Sequence, residues 1–294
     1  MPKSITPSGW NKYETKRRAL GSSPIAMTTL SKYLRQARDK FPHLAQSIDL
    51  HLALDEARMA VKPLPPPNFS PEEVRAALEQ GVPLLRAKPP QVDWEAWAVL
   101  FDRVCELAAV HRPDLAADFA DLRVRAPSLR ETAARYLHDW QVFPVDGLDS
   151  TLLTFAFIHA FHPTLRACAE ALGPLIDEHE QLWYRPHCPL CGGEPDFACL
   201  APDSGVRRLL CSRCDHEWAY QRTGCPYCGE SDPARLGYYP APDNRYRLYV
   251  CDACGRYLKV ADLREIQDSA PLPVERAITL DMDLAAMQIN RQEP

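Results

Sequence analysis

Four Cys-x-x-Cys pairs crowd into 67 residues of this chain: Cys188/Cys191, Cys211/Cys214, Cys225/Cys228 and Cys251/Cys254. Nineteen residues separate the first pair from the second, and twenty-two separate the third from the fourth. Spacers of that length fit a hairpin between two knuckles, so the pattern reads as two successive ribbons, each a tetrathiolate site. The expected quartets are Cys188, Cys191, Cys211 and Cys214, then Cys225, Cys228, Cys251 and Cys254. An interleaved pairing, first with third and second with fourth, suits the spacers less well. A glycine follows Cys191, Cys228 and Cys254, as a left-handed knuckle residue requires. Four thiolates in a tetrahedron suit zinc, and equally mononuclear iron of the rubredoxin kind. A closed set of four ligands leaves no place for a substrate, so hydrolytic chemistry is not expected. Metal binding of this type is worth roughly 10–16 kcal/mol in small peptides, enough to hold up a fold with little core of its own.

The surroundings of the cysteines point to a reducing compartment. The first eighteen residues are polar and lack the apolar core of a secretory signal. Paired thiols without such a signal are expected in the cytoplasm, where a metal rather than a disulfide keeps them together. The longest apolar run, 152–161, is far short of the ~20 residues of a membrane helix, so no membrane insertion is expected. A net charge of −5 gives no general pull toward nucleic acid.

Helical periodicity dominates before the cysteines. Helix-compatible windows are 28–45, 48–61, 70–80, 93–110, 114–124, 128–142 and 152–172. Ser70, Pro71, Glu73 and Gly81 mark both ends of the third. Asp93 begins the fourth, whose stripe of Trp97, Leu100, Phe101, Val104 and Leu107 reads as core. The Pro-rich stretch 62–68 is an extended break. Strand-like pieces then take over at 195–201, 206–211, 217–221, 235–240 and 246–251. The expected organisation is a loose tail (1–23), a helical domain (24–183), a double ribbon (184–265, divided as 184–222 and 223–265), and a last helix near 277–289 with a tail to 294. The fold class is α+β: an all-α half followed by two tandem rubredoxin-like or zinc-ribbon modules.

Other candidate residues read more plainly. His187 and His216 flank cysteines but are not needed as ligands. Cys105, Cys168 and Cys199 read as small buried residues. His159 and His162 share a helix face without a third ligand nearby. Asp177, Glu178 and Glu180 look like a solvated helix end. Residues 184–265 hold eleven Lys plus Arg against eleven Asp plus Glu, and each loaded quartet adds about −2, so nucleic-acid binding is disfavoured. Arg207, Arg208, Arg213 and Arg222 with Trp218 and Tyr220 form at most a local basic patch. Tyr238, Tyr239, Tyr246, Tyr249 and Tyr257 offer the second ribbon an aromatic surface of the kind enriched at protein interfaces.

The run CPLCGG, LLCSRCDHEW, CPYCGE and CDACGRYLK after a helical half resembles the formate dehydrogenase accessory proteins of the FdhE type. The likeness is close over 186–259 and an outline before it; Trp218 and the Tyr257–Lys259 triplet are its more specific parts. It implies a cytoplasmic assembly factor rather than an enzyme. Its partner would be the catalytic subunit of formate dehydrogenase, bound during maturation before export. It also implies two mononuclear tetrathiolate ions on the eight knuckle cysteines, iron ahead of zinc. The rival readings are a rubredoxin-like electron carrier and a zinc-ribbon nucleic-acid binder.

Overall fold

A computed structural model describes residues 27–139, 144–266 and 269–290. The expected tail 1–23, the end of the 128–142 window and the last four residues lie outside the described residues.

The helical half holds α1 (Met27–Lys40), α2 (Ala45–Met59), α3 (Pro71–Gln80), α4 (Leu84–Ala87), α5 (Trp94–His111), α6 (Ala116–Arg125), α7 (Arg130–Asp139) and α8 (Ser150–Asp177). Local chemistry sets several of these boundaries. Ser70 and Glu73 form a reciprocal capping box at the start of α3, and Gly81 closes it at φ 71°. Asp93 caps α5 and Asp149 caps α8 through the same kind of carboxylate-to-amide bonds. The stripe on α5 is buried as its spacing requires, with Trp97, Phe101, Phe157, Phe161 and Tyr136 packed ring on ring. The long helix α8 continues past the expected end at 172, carrying Pro163 and Pro174 within it. The last helix expected near 277–289 is α10 (Leu280–Asn290), and a short helix that the sequence did not suggest, α9 (Leu272–Ala277), precedes it.

Among the described residues six strands follow the helical half: β1 (Pro195–Leu200), β2 (Arg207–Cys211), β3 (Glu217–Tyr220), β4 (Leu236–Pro240), β5 (Tyr246–Cys251) and β6 (Arg256–Asp262). They form one sheet in the order β3-β2-β1-β6-β5-β4. Each ribbon contributes an antiparallel triplet. The first strand of ribbon one pairs in parallel with the last strand of ribbon two, Phe197 opposite Lys259. The two triplets therefore repeat head to tail, and the joint buries both faces of β1. One face carries Ala198, Leu200, Leu209, Leu258 and Val260 into the main core with the helices. The other carries Phe197, Cys199, Leu210 and Ala261 onto Ile266 and Leu272. The outer strands β3 and β4 are sheet edges.

Candidate metal centres

Each knuckle is a tight turn closed by backbone bonds. Gly192 N–H donates to Cys188 O, Gly229 to Cys225 O and Gly255 to Cys251 O. The residue after the second cysteine is left-handed in all four: Gly192 (φ 79°), Asp215 (φ 55°), Gly229 (φ 78°) and Gly255 (φ 67°). Glycine adopts this conformation freely, whereas Asp215 needs support from its surroundings. Knuckle amides also point at sulfur. Gly193 N lies 3.3 Å from Cys191 Sγ, Arg213 N 3.5 Å from Cys211 Sγ and Tyr227 N 3.4 Å from Cys225 Sγ.

The sulfurs gather four and four. Cys188, Cys191, Cys211 and Cys214 make one group and Cys225, Cys228, Cys251 and Cys254 the other, with all ligand atoms of a group within 4.8 Å of one another. Across the knuckles the Sγ separations are 3.7 Å (Cys188 to Cys214), 3.4 Å (Cys191 to Cys211), 3.7 Å (Cys225 to Cys254) and 3.7 Å (Cys228 to Cys251). A tetrahedron with metal–sulfur bonds of about 2.3 Å has edges of about 3.8 Å, whereas a disulfide needs about 2.05 Å. Each group thus has the dimensions to hold one ion. Burial, the largest influence on both, pushes the Cys188 and Cys214 thiols well above their ordinary range. At Cys191 the hydrogen bonds from Cys188, Cys211 and Cys214 overcome burial and hold the thiol well below it. In the second group burial raises Cys225 to about 12, while the Glu230 amide lowers Cys228. An ion that displaces the shared protons would relieve this crowding of sulfur.

The two groups sit in different environments. All four sulfurs of the first are buried in the main core. Helix α4, absent from the sequence reading, lies against them: Leu84 and Leu85 N–H donate to Pro189 O and Leu190 O of the first knuckle. These two amides have no partner within their own helix, so the knuckle satisfies them. Arg213 lies over the Tyr136 ring at 5.1 Å, and Trp218 Nε1 donates to Arg185 O. In the second group Cys228 is exposed and Cys254 half-buried.

Several sequence readings resolve differently. Glu180 is buried rather than solvated; its Oε1 accepts from Arg208 Nη1 and Ala219 N, both at 2.9 Å. His162 and His159 take separate partners. His162 Nε2 lies 2.9 Å from Asp215 Oδ2, and His159 Nδ1 pairs with Arg58 Nη2. The four arginines form no surface patch: Arg207 is buried, Arg208 is paired with Glu180 and Arg213 covers Tyr136, which leaves Arg222 exposed, and Trp218 is buried. Cys105, Cys168 and Cys199 are buried thiols, each raised by that burial to about 12 and so unreactive. The five tyrosines split between the faces of the sheet. Tyr246 and Tyr257 bond Glu275 and Asp283 of the C-terminal helices. Tyr238 and Tyr239 remain 54% and 51% exposed. Sequence reasoning missed the polar tie of Asp215, His162 and Arg276, whose only local signal is a non-glycine after Cys214.

No protein-family model matches the chain. A protein named FdhE homolog from Pseudomonas aeruginosa is 30% identical over 244 residues, 77% of this chain and 74% of that one. One from Stutzerimonas stutzeri is 27% identical over 268 residues, covering 85% and 82%. One from Aquifex aeolicus is 30% identical over 151 residues, and there the match spans about half of each chain, 50% and 51%. The crystal structure of the FdhE protein from Pseudomonas aeruginosa shares the fold, with a TM-score of 0.62 at 24% identity over 91% of this chain and 93% of that one. With a relative matched at 30% identity over some three quarters of both chains, the chain belongs to the FdhE family.

Proposed function

We propose that the chain is a cytoplasmic accessory factor for formate dehydrogenase, binding the catalytic subunit while it matures and before export. Each sulfur quartet holds one ion, iron on the family resemblance and zinc otherwise. The observation that carries this reading is the asymmetry of the two quartets. The first is sealed in the core, where an ion fastens the ribbon to the helical half. The second lies at the surface, with Cys228 exposed and Tyr238 and Tyr239 displayed on the edge strand β4. Exposed tyrosines beside an open strand edge suit a partner that packs on rings and pairs with backbone. The ions shape this docking module and take no part in turnover.

Capture of the formate dehydrogenase catalytic subunit by the purified chain tests the reading. Tyr238→Ala combined with Tyr239→Ala is expected to weaken capture at least tenfold while the metal content stays unchanged. Capture that is absent in the wild type, or unaffected by the double change, contradicts it. The exposure of Cys228 also favours a second reading, electron transfer through the second ion. A visible band that bleaches and recovers with reduction and oxidation supports that reading, and a colourless zinc protein excludes it.

A further inference from the structure

The face of the sheet that enters the main core continues outward beyond the helices, onto ribbon two. There it floors a cavity of about 280 Å³, roofed by the connection between the ribbons at Arg222, Gly224 and Tyr227. Tyr238 and Tyr249 stack in its wall with ring centroids 5.6 Å apart, and the Arg247 guanidinium lies 5.4 Å from the Tyr238 ring. Four arginines line it: Arg207, Arg222, Arg247 and Arg256. Among the described residues no Asp or Glu lines it. Two of the four are neutralised from outside, Arg247 by Asp262 and Arg256 by Glu194.

Arg207 is the unusual member. It is 2% exposed, and among the described residues it has no carboxylate partner. Its Nη2 donates to Gly224 O at 2.7 Å and its guanidinium lies over Tyr220, while its Nε–H has no partner. The Arg247 Nε–H is likewise buried and unpaired. A buried guanidinium left without an anion is costly, so such an arrangement persists when something else gains from it. Burial accordingly lowers the Arg207 pKa. A loaded second quartet adds about −2 nearby, because Cys225 and Cys251 also line the cavity. That charge is spread over four sulfurs, and backbone amides already meet three of them, Cys225, Cys228 and Cys254. It acts on Arg207 as a field and supplies no acceptor for Nε–H.

We infer that this cavity binds a small organic anion: an oxyanion held by the arginines and carried on a planar apolar body that lies against the tyrosines. Guanidinium forks match carboxylate and phosphate oxygens alike. Stacked tyrosines and the apolar floor favour a ring over a bare ion. At this volume the body is about one ring in size. The ligand would rest against the second quartet, on the outer part of the sheet face that enters the main core.

Calorimetric titration of the whole metal-loaded chain at low salt tests this, with benzoate, phenyl phosphate and the neutral isostere benzamide as probes. At least one anion is expected to bind ten times or more tightly than benzamide, and which one does so identifies the oxyanion. Arg222→Ala changes an exposed side chain with little risk to folding. It is expected to weaken the bound anion about fivefold and to leave benzamide unchanged. Tyr238→Ala is expected to weaken anion and amide alike. Benzamide binding as tightly as both anions, no anion bound at about 10 mM, or anion affinity unchanged by Arg222→Ala would overturn the inference.

Discussion

Asp215 occupies the left-handed position that glycine fills in the other three knuckles, and His162 on the long helix α8 holds it there, Nε2 to Oδ2 at 2.9 Å. Arg276 on α9 completes the tie at 3.0 Å and reaches Asp196 on β1 with its other nitrogen. One carboxylate beside the first quartet thus joins the helical half, the ribbon and the C-terminal helices. Burial alone would raise the Asp215 carboxyl; Arg276 and His162 overcome it and hold the group well below the ordinary carboxylate range.

The burial of His162 makes stability sensitive to acid, and its bond to Asp215 offsets this only in part. Burial, with Arg58 behind it, pushes the His162 imidazole from 6.5 down to about 4. Because the folded value lies below the unfolded one, the unfolded chain takes the proton first. Stability is therefore full above about pH 6.5 and falls as the pH drops toward about 4. Between pH 7 and 5 the wild type is expected to lose about 2 kcal/mol more than His162→Asn, measured by urea unfolding. Equal losses would show that His162 is not buried in its neutral form.

Glu180 gives a second fastening between the halves. Removing it leaves Arg208 short of its nearest carboxylate and the Ala219 N–H unpaired. Glu180→Ala is expected to cost about 3 kcal/mol, and Glu180→Gln about half of that because an acceptor for Ala219 remains. Denaturant unfolding of the metal-loaded protein reads both values. A cost under about 1 kcal/mol for the alanine change would mean the linkage contributes little.

The two quartets are expected to release their ions at different rates. Cys228 is exposed, whereas every sulfur of the first group is buried. A chelator should remove one equivalent quickly, and the second only on the timescale of unfolding. Cys228→Ser should abolish the fast phase and leave the slow one. A single phase in the wild type contradicts the difference in environment.

The local signals in the sequence were the short-range ones. Knuckles, caps and the α5 stripe rest on residues within a few positions of one another, so spacing alone reveals them. Joining the ribbons into one sheet depends on Phe197 meeting Lys259, and nothing local selects that pairing over two separate hairpin modules. Glu180 looked solvated because its partners, Arg208 and Ala219, lie 28 and 39 residues away. Helix α4 escaped notice because four residues carry no periodicity; the first knuckle's carbonyls hold its start. Arg207 read as part of a surface patch because a lone arginine in an alternating strand gives no sign of the face it takes.

The most direct measurement is the metal content of the anaerobically purified chain, by elemental analysis with a parallel thiol count. Two ions per chain are expected, with one left after Cys228→Ser combined with Cys251→Ser. Less than one ion per chain with the cysteines recovered as disulfides, or two ions retained in the double variant, would contradict the assignment of one ion to each quartet.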